Sequence, residues 1–207
     1  MTRLVALVHG IVLAVGLIVA LGPQNVFVFQ QGATQPRLRR ALPTVVTASL
    51  SDTLLVSLAV LGVSVAVLGN AWLQQGLFGV GALFLVYVGW QVYRSPALSV
   101  SGGRALSPRK QVGFTAAVSL FNPHAVLDTV GVIGTSALAY EGGEQWVFAG
   151  GVVAVSWLWF VSLAMGGRLL GRAESDAADA VLGKLDAAAA LVIWGVAGYM
   201  AYRFLTL

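Results

Sequence analysis

The sequence predicts an all-α integral membrane protein: six transmembrane helices arranged as two inverted three-helix repeats, with the first helix of each repeat broken at a proline. Three observations carry this reading. The chain has 207 residues, of which 58% are apolar and only 10% charged, and its mean hydropathy of +0.86 lies far outside the range of a soluble domain of this length. Six apolar stretches can be marked, most of them near or above the ~20 residues that cross a bilayer as a helix. Two of them carry similar proline-centred segments about one hundred residues apart, Ala20 to Phe27 and Leu120 to Leu127.

The stretches run roughly from Leu4 to Phe29, Leu42 to Leu68, Leu77 to Val92, Val112 to Tyr140, Trp146 to Leu170 and Ala187 to Leu205. Strand-like alternation is absent, and a lipid-exposed backbone must satisfy its own hydrogen bonds, so helices are the spanning elements. The third stretch is short, and Trp72 and Leu73 extend its start. Arg3 followed by an apolar run resembles a secretory signal, with Ala20 or Gly22 as small residues near a cleavage point. The run continues through Val26 to Phe29, however, and its removal would destroy the even helix count, so it reads as the first span.

Three helices per half is an odd number, so the second half enters the membrane inverted, a recurring transporter design. The halves are residues 1–93 and 112–207, joined by a polar linker over 94–111 with Ser95-Pro96, Ser101-Gly102-Gly103 and Ser107-Pro108. Ten of the twelve Lys and Arg fall on one side of a six-span arrangement: Arg37, Arg39 and Arg40; Arg94, Arg104, Arg109 and Lys110; Arg168, Arg172 and Lys184. Only Arg3 and Arg203 fall on the other, where the fourth connection carries Glu141 and Glu144. Cytoplasmic loops attract Lys and Arg, so both termini are expected on the outer face. The net charge of +4 is then accounted for by loops facing anionic lipid, with no nucleic-acid partner implied.

Asp52 and Asp128 lie inside apolar runs, whereas Glu141, Glu144, Glu174, Asp176, Asp179 and Asp186 fall in the polar connections and the Lys and Arg fall there or at the ends of runs. A carboxylate at membrane depth is costly and marks a functional site. With no fixed basic partner nearby, the missing positive charge points to a proton or a cationic substrate. Asp52 lies ten residues into the second stretch beside Ser49, Ser51 and Thr53, about 15 Å deep and near the midplane. Asp128 follows His124 by four residues and shares its helix face. The structural alternative is that each acid is protonated and serves as a hydrogen-bonded clamp between helices.

Pro23 and Pro123 could simply kink their helices. Their neighbours argue for more: Gln24, Asn25, Asn122 and His124 are four polar side chains gathered at two breaks in otherwise apolar helices, with Gly22 beside the first. A break frees backbone amides and carbonyls that can bind the carboxylate and ammonium of a zwitterion. His124 alone reads equally as a packing residue or as a proton or substrate ligand. Trp90, Tyr93, Tyr140 and Trp146 read as interfacial belt residues, and Ser156-Trp157-Leu158-Trp159-Phe160 reads as packing, pore lining or anchoring alike. Gly76, Gly79, Gly81, Gly195 and Gly198 are small residues suited to close helix packing. Cysteine is absent and the two histidines, His9 and His124, are far apart in sequence, which disfavours thiol chemistry and metal-dependent hydrolysis and implies no cofactor or metal. An intramembrane enzyme is thereby the weaker class of function.

Leu21-Gly22-Pro23-Gln24-Asn25-Val26-Phe27-Val28, then Ser51-Asp52, then Leu120-Phe121-Asn122-Pro123-His124-Ala125-Val126-Leu127-Asp128-Thr129 with Gly134 after it resembles the lysine and arginine exporter (LysE-type) family of bacterial inner membranes. The resemblance covers essentially the whole chain, with three motifs in the right order and helices. It departs at Phe121, where related exporters often carry leucine. Threonine and homoserine exporters share the Gly-Pro start but typically lack the Asn-Pro-His and Leu-Asp-Thr seen here. The resemblance implies a homodimer and export of L-arginine or L-lysine, with the aspartates and helix breaks as the functional core. Gly22, Pro23, Gln24, Asn25, Asp52, Asn122, Pro123, His124 and Asp128 are accordingly the expected substrate-binding residues, with Asp52 and Asp128 also coupling to protons. Exporters of neutral amino acids or of a metal cation are the alternative.

Overall fold

The computed structural model describes residues 2–18, 23–63, 69–72, 105–121 and 129–172, and shorter pieces at 75–76, 79–80, 82–83, 86–87, 90, 191, 194–195, 197–199, 201–202 and 204–205. Every regular element among them is helical. Helix α1 (Arg3–Ile18) is followed across residues 19–22 by α2 (Pro23–Thr34), and the two are bent by 81°. A 3-10 turn over Leu38–Arg40 leads into α3 (Leu42–Leu58), with Pro43 in its first turn, where a missing N–H costs nothing. A π-helical stretch, Ala59–Val63, extends α3 and contains Gly62 at φ 86°, a left-handed conformation that glycine adopts without penalty. Helix α4 (Pro108–Leu120) again begins on a proline. The chain resumes in a π-helical turn, Thr129–Gly134, and the short α5 (Thr135–Ala137). The longest helix, α6 (Gly143–Leu170), has 28 residues, about 42 Å.

Among the described residues two helices, Leu42–Gly62 and Gly143–Leu170, are each long and apolar enough to cross a membrane, and the bent α1–α2 pair makes a third if counted as one span. Helix α6 is the rail on which that pair lies. Gly10 and Gly151 let the backbones of α1 and α6 touch near Phe148 and Leu7. At the other end Gly32, Gly167 and Gly171 do the same for α2, against Ala164, Phe29 and Ala33. A Cβ at these positions would fall on a backbone carbonyl, so the close approach requires glycine. Among the described glycines singled out from sequence, Gly76, Gly195 and Gly198 meet nothing within 4 Å, and Gly79 meets only the Phe204 ring; Gly81 lies outside the described residues. Tight packing is therefore set by a different group of glycines, those of α1, α2 and α6.

Helix α3 packs on α6 and on α4. Toward α6 it runs antiparallel: Asp52 meets Ser156, while Val45 and Ala48 pack with Phe160 and Ala164. Toward α4 it runs parallel, with Thr44 bonded to Gln111 near both helix starts and the stretch 59–63 against 129–134 beyond their ends.

Candidate functional site

Asp52 occupies the centre of this arrangement. It lies ten residues from either end of the span Leu42–Gly62, and Ser156 lies thirteen residues from the start of α6 and fourteen from its end. The Asp52 carboxylate accepts two hydrogen bonds, from Gln24 Nε2 to Oδ1 at 3.2 Å and from Ser156 Oγ to Oδ2 at 3.0 Å. Three helices therefore converge on one acid: α2 just past its break, the middle of α3 and the middle of α6. Beside it Thr53 Oγ1 accepts the Trp157 indole N–H at 3.1 Å and donates to the Ser49 carbonyl at 2.7 Å.

The break itself is tied down by a predicted residue. Pro23 has no N–H with which to continue the α1 ladder, and the side chain of Asn25 donates to the Ile18 carbonyl at 3.3 Å, across the gap at the end of α1. Pro23, Gln24 and Asn25 are all buried. Of the nine residues expected from sequence, the structure thus brings Pro23, Gln24, Asn25 and Asp52 to one place. Gly22, Asn122, Pro123, His124 and Asp128 lie outside the described residues. Ser156 is the partner that sequence reasoning passed over, and its only signal was a hydroxyl at the middle of an apolar stretch.

Buried side-chain groups without a described hydrogen-bond partner lie on α3, α4 and α6. They are the hydroxyls of Ser49, Thr115 and Ser119, the Trp159 indole N–H and the Arg168 Nε. The hydroxyl-bearing residues are at most 1% exposed. Counting up the parallel helices from the Thr44–Gln111 bond, Ser119 on α4 is level with Asp52, eight residues along each. Such orphan groups are uncommon in apolar interiors because desolvation penalises them.

A second polar cluster lies at the end that carries Arg37, Arg39, Arg40, Arg109 and Lys110. Gln111, 1% exposed, accepts from Thr44 Oγ1 at 2.9 Å and donates to the carbonyls of Arg40 and Leu106 at 3.0 and 2.8 Å. Gln35 donates to Gln31 Oε1 at 3.1 Å and to the Leu106 carbonyl at 3.0 Å. Arg168 closes the cluster from α6, its two terminal nitrogens donating to the carbonyls of Gln35 and Pro36 at 2.6 Å each. At the opposite end Tyr140, expected in the interfacial belt, is instead buried. Its hydroxyl lies 2.7 Å from His9 Nδ1 and its ring stacks on Phe148 at 5.4 Å, because the turn before α6 folds it back over α1. Trp146 and Trp90 are exposed as expected, at 50% and 49%.

An acid at the middle of α3, bonded to the middle of α6 and to the start of α2 beside a helix break, is the kind of intramembrane carboxylate that raises a functional-site hypothesis. The LysE type translocator family model matches residues 15–203. The chain belongs to this family. Among curated relatives it is 50% identical over 195 residues to YisU of Bacillus subtilis (strain 168), assigned by name to amino-acid transport, covering 94% of this chain and 88% of that one. It is 33% identical over 164 residues to the arginine exporter protein ArgO of Salmonella paratyphi A (strain ATCC 9150 / SARB42), covering 76% of this chain and 75% of the relative. ArgO of Salmonella typhi matches at 32% over the same length. No solved structure matches the chain. The chain is thus a member of a translocator family, built from apolar helices.

Proposed function

We propose that this exporter carries L-arginine, L-lysine or both out of the cytoplasm, in exchange for inward proton movement. The observation that supports the reading most is Asp52, mid-span and hydrogen-bonded to Gln24 at the helix break, with no ion pair among the described residues. Arginine and lysine each bring two positive groups and a carboxylate. Two intramembrane acids, Asp52 and Asp128, answer the positive groups, and the backbone carbonyls freed at the Pro23 and Pro123 breaks add acceptors for them. Moving one positive charge outward against ~100 mV costs about 2.3 kcal/mol, so a compensating proton entering through the same carboxylates is the simplest coupling.

The same reading takes six spans as two inverted halves, 1–93 and 112–207, in the bacterial inner membrane with both termini outside. Its support is the ten-to-two distribution of Lys and Arg and the clustering of residues 35–40, 106–111 and 168 at one end of the bundle. A homodimer is proposed from the family resemblance. Export of neutral amino acids or of a metal cation is the rival specificity. Inside-out vesicles given labelled L-arginine, L-lysine, L-threonine or cadmium should accumulate the first two, faster under an imposed proton gradient. Accumulation of threonine or cadmium in their place would overturn the specificity.

A further inference from the structure

We propose that Ser49 and Trp159 form the subsite for the α-carboxylate of the transported amino acid, one helical turn from Asp52. The inference rests on Asp52 being the site of an ammonium group, as in the export reading. Because α3 and α6 run antiparallel, Ser49, three residues before Asp52, and Trp159, three residues after Ser156, lie on the same side of the Asp52–Ser156 bond. Each is displaced from it by about 4.5 Å along its helix. Trp159 packs directly on the group in which Val45 and Ala48 of α3 meet Phe160 and Ala164 of α6, and Ser49 is the chain neighbour of Ala48.

Ser49 is 0% exposed, and neither its hydroxyl nor the Trp159 indole N–H has a described partner. The Ser49 hydroxyl had an easy local alternative, a bond to the carbonyl four residues back, which Thr53 takes at 2.7 Å in the same helix and Ser162 takes at 2.7 Å in α6. Indole nitrogen can only donate, and a carboxylate can only accept. Two buried donors without described acceptors, beside a carboxylate that is already supplied with two donors, complement a ligand that carries its positive and negative groups on one carbon atom. An α-amino acid has that form: its ammonium faces Asp52 and its carboxylate takes the free donors.

The test compares amino acids with their decarboxylated analogues, using purified full-length protein and measuring binding of L-arginine against agmatine and of L-lysine against cadaverine. Ser49→Ala and Trp159→Phe are made separately, since each removes one donor and adds no bulk. Each should weaken amino-acid binding by about tenfold or more, as for loss of a hydrogen bond to a charged group, and leave binding of the diamines unchanged. The preference for amino acid over amine should therefore collapse. Equal weakening of both ligand types would assign the two residues to scaffolding and overturn the subsite, as would unchanged amino-acid binding by the variants. Wild-type protein that binds neither amino acid would overturn the export reading and this subsite with it, so the two failures are told apart by the wild type alone.

Discussion

The two polar regions inside this bundle are built from similar side chains and differ in how completely they are paired. At the basic end, Gln111 satisfies three partners, Gln35 two and the terminal nitrogens of Arg168 two backbone carbonyls, leaving the Arg168 Nε without a described partner. At the centre, Asp52 has two donors, while Ser49 and Ser119 nearby have no described partner and neither has Trp159. A largely paired network rigidifies, whereas several buried groups left over are a standing cost that folding alone gives no reason to keep. Under the proposed export function, the first region serves stability and the second ligand binding.

The largest expected effect breaks the central region without touching the other. Asp52→Asn keeps the shape and most of the hydrogen bonding but loses the charge, so arginine export in vesicles should fall to the level of membranes lacking the protein, with insertion unchanged. An acid that acts only as a helix clamp predicts near-normal export, since an amide is similar glue. Asp128→Asn should behave likewise, and the double variant should add little if both acids serve one site.

The converse change falls at the basic end. Gln111→Leu leaves the Thr44 hydroxyl and the Arg40 carbonyl without their described partner, while the Leu106 carbonyl keeps Gln35, which should cost about 2–6 kcal/mol, two lost bonds at ~1–3 kcal/mol each. Thermal unfolding of purified protein should show it, with export falling only in proportion to the folded fraction. Loss of export at full stability would erase the distinction between the regions.

Two smaller changes sharpen it. Ser156→Ala removes one of the two donors to Asp52, worth about 1 kcal/mol, and should raise KM for arginine by roughly fivefold at unchanged stability. Thr53→Val removes the acceptor of the Trp157 indole at the edge of the site. It should cost about 0.5–1 kcal/mol of stability and leave KM as it was, which marks where the ligand site ends.

Several features were legible because they are local. Asp52 stands out as a charge in an apolar run, Pro23 as a residue that cannot continue a helix, and Gln24 and Asn25 as amides beside the break. Ser156 was not legible, since a serine in a membrane helix commonly bonds back to its own backbone, as Ser162 does. Nor was Tyr140, whose position in an aromatic-rich flank suggested an interface while the turn before α6 buries it against His9.

The sequence by itself determined that the chain spans a membrane in helices, where the first of them breaks, and that an acid lies at mid-depth. These follow from hydropathy, proline geometry and charge, each a property of a few neighbouring residues. Only the tertiary structure decided which polar groups meet that acid. Partnership across helices depends on register, which is fixed where Gly10, Gly32, Gly151, Gly167 and Gly171 let α1, α2 and α6 touch at the backbone and where Val45 and Ala48 of α3 pack on Phe160 and Ala164 of α6. A shift of one residue, about 1.5 Å in rise and 100° in direction, would carry Ser156 away from Asp52, and no local pattern in the chain encodes that alignment.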